Sequence, residues 1–280
     1  MGYIDLHSHT TASDGSFTPD ELVKYACEKG LSTIAITDHD TVAGIPAAMS
    51  AARSCPVDIL PGVEVSSILG NSKIHILGYG IDYDNPKLTG YLNTVAAKRD
   101  ERNMKICSQL RTYGVDIDYD DFMRSSGCRT ITRTHLAQFL INNGYAADKA
   151  EAMDKYLGKG RPCYIPMSRL MAEDAIKLIR SFGGVAVLAH PMQYKQSDSG
   201  LFMMMNALKD MGLTGVEAVY STHTHDDEMK FREMADALHF IVTGGSDCHG
   251  DLKPDIDLGT GKGNLMIPQT LLRDMGFSVK

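Results

Sequence analysis

No apolar run in this 280-residue chain approaches the roughly 20 residues needed to cross a bilayer, so an integral membrane protein is not expected. A leader is not expected either. Ile4-Asp5-Leu6-His7 arrives at once, without a basic-then-apolar stretch, and Leu6 stands where a myristoylation motif wants Ser or Thr. There is no C-x-x-C pair, and the six cysteines (Cys27, Cys55, Cys107, Cys128, Cys163, Cys248) are scattered. Reduced thiols in a cytoplasmic protein are the simplest reading. Positive charge is in deficit, since 28 Lys and Arg face 35 Asp and Glu for a net charge of −7. That excludes a broadly basic protein that coats nucleic acid, while leaving room for a local basic pocket. What remains is ordinary globular composition, 43% hydrophobic and 22% charged, at a length that fits one large domain or a domain with an insertion.

Short apolar runs alternate with helical patterns. Seven strands are expected, at Ile4–Leu6, Thr33–Thr37, Ile59–Glu64, Ile74–Tyr79, Val185–Ala189, Gly215–Val219 and Phe240–Thr243. Thr18-Pro19-Asp20-Glu21 supplies an N-cap, a first-turn proline and a capping-box glutamate for a helix that Gly30 ends. Ala172–Phe182 repeats the pattern, with apolar residues at 175, 176, 179 and 182 before Gly183-Gly184. Strands alternating with helices of this length predict a parallel sheet or a barrel. The rhythm breaks between 86 and 167, where three helical patterns (Leu88 to about Tyr113, Thr134–Asn143, Ala147–Leu157) and no strand are found. The expected organisation is therefore a β/α domain of 1–85 and 168–280, with an inserted helical domain at 86–167. Met203-Met204-Met205 reads as adaptable core filler on a helix.

The chemistry is carried by the residues beside the strands. His7, His9 and Asp14 follow the first, Asp38-His39-Asp40 the second, and Glu64 closes the third. His75 starts the fourth, and His190, His223 and the pair Asp247 and His249 follow the last three. Seven of the ten histidines fall on this pattern. In parallel β/α architectures the carboxyl ends of the strands converge on one face, so these side chains are expected to meet. Each piece alone has a plainer explanation: a core histidine for His75, a turn acid for Asp38, a salt bridge for Glu64. Their shared location points to a polynuclear metal site. H-x-H and Asp247-x-His249 place alternate side chains on one side of an extended segment, with Cys248 turned away. Imidazole and carboxylate donors suit Zn, Mn or Fe.

At these residues the sequence resembles the PHP (polymerase and histidinol phosphatase) superfamily. The stretches that carry the resemblance are Asp5-Leu-His-Ser-His-Thr with Ser13-Asp14-Gly15, Ile36-Thr-Asp-His-Asp-Thr41, Gly62-Val-Glu64, Ile74-His-Ile-Leu-Gly-Tyr79, Ala189-His-Pro191 and Gly245-Ser-Asp-Cys-His-Gly250. The resemblance implies a distorted seven-stranded β/α barrel and a centre of two to three divalent ions. Carried over by position, His7, His9, Glu64 and Asp247 would hold the first ion. Glu64, His75 and His190 would hold the second, and Asp14, His39 and His249 the third. Many relatives have histidine where Asp14 stands. Length and the helical insertion resemble the stand-alone, nucleotide-directed branch.

Two or three cations about 3.5–4 Å apart can hold a hydroxide at neutral pH and neutralise the oxygens of a phosphoryl transition state. The expected function is hydrolysis of nucleotide phosphate esters: a 3′,5′-bisphosphate, the 5′-terminal nucleotide of a short oligonucleotide, or a cyclic phosphate. Arg129, Arg133 and His135 in the insertion are the expected substrate contacts, with Lys159 and Arg161 weaker choices. The resemblance supports an arginine–histidine pair there. His223 is expected to contact phosphate or protonate a leaving group, and Asp247 to serve both metal and catalysis. The alternatives are a histidinol-phosphate phosphatase, an amidohydrolase-type C–N hydrolase, and a non-catalytic copy of the domain. The insertion argues against the first and the complete donor set against the last. No protein partner is evident.

Overall fold

The computed structural model describes residues 2–127, 130–167 and 169–278. The chain divides into two compact units, Met1–Gly90 with Arg169–Lys280, and Tyr91–Ser168. Along the chain come β1 (Tyr3–Asp5), α1 (Pro19–Glu28), β2 (Leu31–Ile36), α2 (Ile45–Ala51), β3 (Asp58–Leu69) and β4 (Ser72–Tyr79). Four helices follow: α3 (Pro86–Thr112), α4 (Tyr119–Ser126), α5 (Arg133–Asn142) and α6 (Lys149–Ala152). The alternation then resumes with β5 (Leu170–Met171), α7 (Ala172–Ser181), β6 (Val185–Leu188), α8 (Asp198–Asp210), β7 (Gly215–Tyr220), α9 (His225–Leu238), β8 (Ile241–Gly245) and α10 (Leu271–Asp274).

The sheet of the first unit runs β1-β2-β3-β4-β6-β7-β8, and the two-residue β5 pairs beside β3. These seven ring strands match the seven expected from the apolar runs. The ring closes where the continuations of β1 and β8 meet: the Leu6 amide donates to the Gly244 carbonyl (3.2 Å), Asp247 to His7 (2.8 Å) and His9 to Cys248 (3.0 Å). Pairing is parallel except at β4, which runs antiparallel to both β3 and β6. This architecture is a distorted β/α barrel. Its interior is filled by Ile4, Leu6, Leu77, Tyr79, Val187 and Ile267, all fully buried, each aliphatic one contributing about 1.5–3 kcal/mol by leaving water.

Local signals explain the helices that feed the site. At α1 the Thr18 hydroxyl accepts from the Glu21 amide and the Glu21 carboxylate accepts from the Thr18 amide, a capping box, while Leu22, Val23 and Ala26 are buried. At Gly30 the backbone is left-handed (φ 69°), which ends the helix as expected. On α8 only part of the methionine run is core, since Met204 and Met205 are buried and Met203 is exposed.

The second unit has its own core, with Ile106, Leu110, Ile131, Leu136, Leu140 and Leu157 all fully buried. It contains four helices where three were expected among its described residues. The missed one, α4, starts on an Asp118 N-cap that accepts from the amides of Asp120 and Asp121. Its acidic first turn hides the apolar pair Tyr119 and Phe122 that it buries.

Candidate metal centre

β1 continues as an extended segment that sends His7 and His9 to one side and Ser8 to the other, where its hydroxyl donates to the Ala35 carbonyl (2.6 Å). The two imidazole Nε2 atoms stand 3.4 and 3.3 Å from Glu64 Oε2, and 3.5 and 3.1 Å from Asp247 Oδ1. Close packing of the β8 end makes this possible. A Cβ on Gly245 would lie 2.3 Å from the His7 Cβ, so glycine is required there. Asp14, in the turn that follows, directs Oδ1 toward His249 Nε2 (3.4 Å), His39 Nε2 (3.7 Å) and His9 Nδ1 (3.8 Å).

Glu64 is the hub. Its Oε1 lies 2.7 Å from His75 Nδ1 and 2.9 Å from His190 Nε2, and its Oε2 lies 2.8 Å from His39 Nδ1. The strand does not end at Glu64, as the apolar run had implied; β3 continues to Leu69 to pair with β4. Because β4 is antiparallel, its first residues lie at the same end of the barrel as the last residues of the parallel strands. That is why His75, at the start of its strand, still reaches the cluster.

Three groups of donor atoms lie within 4.8 Å of one another among the described residues: His7, His9, Glu64 and Asp247; His9, Asp14, His39 and His249; and His39, Glu64 and His75. The first is the set expected for the first ion. The second adds His9 to the set expected for the third. The remaining group contains His39 where His190 was expected, and His190 touches Glu64 from outside it. Cys248 is buried, its thiol pushed up to about 12 by burial, and belongs to no group. The donors fit cations in a second respect. His7 Nε2, His9 Nε2, Asp14 Oδ1, His39 Nδ1 and Glu64 Oε2 are buried atoms that form no aligned hydrogen bond. Buried polar atoms normally have partners, and here five such atoms face one another.

The cluster's electrostatics are internally balanced. Burial alone would raise the carboxyl of Glu64, but His39, His75 and His7 outweigh it and hold Glu64 well below its usual range. Burial, with His249 and His39 beside it, lowers His9 to about 4. For His39 burial is overcome by Glu64 and Asp14, which raise it to about 9. A cation must displace the His39 proton at neutral pH, so metal binding should release protons and tighten as pH rises toward about 9. Calorimetric titration in two buffers of different ionisation enthalpy checks this; identical heats would contradict it. For metal-stripped protein the sign on folding is opposite. Protonated His39 stabilises the fold fully below pH 6.5, and that stability is lost as pH rises through about 9.

Several supporting contacts escaped the sequence reading, and Glu217 and Lys253 escaped it altogether. Asp247 presents only Oδ1 to the imidazoles; its Oδ2 accepts from the Tyr220 hydroxyl and from Lys253 Nζ, both at 2.7 Å. Asp38 accepts from the amide and hydroxyl of Thr10 and the hydroxyl of Ser13, fixing the loop between His9 and Asp14. Glu217, fully buried in β7, lies 2.9 Å from His7 Nδ1 and accepts from the His190 amide at 2.8 Å. Its signal was a charge inside an otherwise apolar strand, Gly-Val-Glu-Ala-Val-Tyr. Lys253 had none. Asp247 and His190 both have positive φ (61° and 29°), a backbone strain of about 1–3 kcal/mol each that the surrounding bonds sustain. Asp247-Cys248-His249 is thus kinked and not the extended repeat of H-x-H that was expected.

His223 holds its Nδ1 2.8 Å from the Ala218 carbonyl, leaving a buried Nε2 without an aligned partner. His225 is the first residue of α9, capped by Thr224, and left-handed His239 ends that helix. The second unit places Arg133 at the start of α5, its guanidinium 5.4 Å from the Tyr164 ring centre. His135 is buried there, and its Nδ1 accepts from the Thr132 amide (3.1 Å). Arg161 pairs with Asp154. Arg129 lies outside the described residues.

Residues 5–160 match the PHP domain family model. The 5′-3′ exoribonuclease Rnm of Salmonella typhimurium is 36% identical, over 91% of this chain and 87% of the relative. A 3′,5′-nucleoside bisphosphate phosphatase of Chromobacterium violaceum is 34% identical, over 92% of this chain and 91% of the relative. A metal-free, sulfate-bound structure described as an amidohydrolase, also from Chromobacterium violaceum, superposes with a TM-score of 0.85 at 32% identity, covering 98% of this chain and 96% of that one. By matched length, by identity and by the donor set at its barrel end, this chain belongs to the PHP domain family.

Proposed function

We propose that this chain is a metal-dependent phosphoesterase that hydrolyses nucleotide phosphate esters: a 3′,5′-bisphosphate, the 5′-terminal nucleotide of a short oligonucleotide, or a cyclic phosphate. The observation that carries the reading is Glu64, whose two oxygens are shared by five imidazoles from three loops and one strand at the centre of a buried N/O donor cluster. Two to three Mn, Zn or Fe ions would be held by His7, His9, Asp14, His39, Glu64, His75, His190, Asp247 and His249. When bound, such ions supply a nucleophile at neutral pH and neutralise phosphoryl oxygens. The chain's own residues do the rest. Glu64 and Asp247 offset cation charge, and Lys253 with Tyr220 keeps Asp247 aimed at the cluster. His223 is held neutral by burial, and the arrival of an anion raises its proton affinity. It then binds a phosphoryl oxygen or carries a proton to the leaving group. A cytoplasmic setting belongs to the same reading, since the five described cysteines are free thiols. The relatives named for nucleotide chemistry support the substrate class.

The residues of 86–167 are proposed to decide what is cleaved and not whether cleavage occurs, because among the described residues every donor group lies outside them. Arg129, Arg133 and His135 would then read the non-reacting phosphate or base. A charged hydrogen bond of this kind contributes roughly 1.5–3 kcal/mol, or about 10- to 150-fold. Arg133→Ala should lower kcat/KM for a nucleoside bisphosphate by about that factor, with metal content unchanged and p-nitrophenyl phosphate hydrolysis nearly so. Equal loss on both substrates would place Arg133 on the reacting phosphoryl group. The structural neighbour described as an amidohydrolase makes ammonia release the matching control. Ammonia without phosphate from a substrate panel would overturn the phosphoesterase reading.

A further inference from the structure

We infer that Glu217 is a positioning residue that decides which nitrogen of His7 is offered to a cation and holds the His190 loop in register with it. The inference deepens the metal-centre reading and rests on it. Glu217 sits on β7, fully buried, and is not one of the clustered donors. Its two oxygens serve two different parts of the centre. Oε2 accepts the backbone N–H of His190, an obligate donor, at 2.8 Å. Oε1 faces His7 Nδ1 at 2.9 Å, a hydrogen-bond distance at which Nδ1 donates and the carboxylate oxygen accepts. The opposite nitrogen, Nε2, is thereby the one turned toward Glu64 Oε2 and Asp247 Oδ1, where it forms no aligned hydrogen bond. Against the effect of burial, Glu217, Glu64 and Asp247 hold the metal-free ring protonated well above its usual range, so a cation would replace the Nε2 proton. A carboxylate behind an imidazole whose far nitrogen faces other ligands is the arrangement that fixes tautomer and ring orientation at metal sites. His190 gains as well, because its backbone has a positive φ of 29° and needs an anchor to stay there.

A single carboxylate with two donors cannot be replaced by an amide. In Glu217→Gln the side chain offers one acceptor and one NH2 group to two partners that both donate. If the NH2 faces His7, Nδ1 must become the acceptor, and the proton moves to Nε2, where it blocks the ligand. If the NH2 faces His190, two donors meet and the loop must shift. Glu217→Asp keeps the charge and the acceptors at shorter reach, and should retain the Nδ1 proton with a smaller loss.

The test is the ¹⁵N NMR spectrum of the His7 ring in metal-stripped protein, at a pH high enough for the ring to carry a single proton, alongside Zn²⁺ titration against a chromophoric chelator. Wild type should carry the His7 proton on Nδ1. Glu217→Gln should move it to Nε2 or mix the tautomers and weaken Zn²⁺ binding about 10- to 100-fold, with a cooperative thermal transition retained. Wild type protonated on Nε2, or Glu217→Gln binding Zn²⁺ as tightly as wild type, overturns the inference. Should Glu217→Gln not fold, the wild-type tautomer and the Zn²⁺ affinity of Glu217→Asp decide it. Wild type with the Nδ1 proton in place but no Zn²⁺ affinity would sink the metal reading instead, a result visible in the titration and not in the spectrum.

Discussion

Glu64→Gln should give a folded protein that neither retains metal nor releases phosphate at more than about one-hundredth of the wild-type rate, since even changes behind the ligands lose 10- to 100-fold. The size follows from position. Glu64 is the only carboxylate shared by two of the candidate donor groups among the described residues, and its oxygens lie within 3.4 Å of His7, His9, His39, His75 and His190. Glutamine removes the negative charge that balances these imidazoles and turns an NH2 group toward a ring nitrogen. Asp247→Asn should behave similarly but less severely, about 10- to 100-fold, because Asp247 belongs to one group. Its new NH2 would also meet Lys253 Nζ or the Tyr220 hydroxyl in place of an acceptor. Turnover and metal content measured on the same samples check both. Stoichiometric metal with normal turnover in either variant would refute that residue's role.

Much of this centre was legible because its ligands sit beside short apolar strands. His7-x-His9 needs only an extended segment, and the ring closure places it against Asp247. His75 was legible as a histidine in the right motif, but its reach was not, since the direction of β4 is set by partners and not by the run Ile74–Tyr79. The kink at Asp247 was hidden for a related reason. A left-handed φ at a non-glycine residue leaves no trace in residue type and is sustained by bonds from Tyr220, which ends β7, and from Lys253, six residues further along its own loop. Glu217 was passed over because its two partners lie 210 and 27 residues away in sequence. A long charged face marked α3 and an amphipathic run ended by Asn143-Gly144 marked α5, while the acidic opening of α4 masked a helix that the core around Phe122 requires.

Removing metal should have the other large effect. Every proposed donor is an imidazole or carboxylate, whose bound cations alone would supply the nucleophile and most of the charge neutralisation. His223, Lys253 and the arginines are proposed to bind and orient, and cannot by themselves bring water to a usable acidity. The most direct measurement is therefore phosphate release from a 3′,5′-nucleoside bisphosphate by protein dialysed against chelator, then titrated with Mn²⁺, Zn²⁺ or Fe²⁺. Activity should fall to background with the thermal transition intact, and return as two to three equivalents of metal bind. Full activity in protein shown to be free of metal would contradict the account.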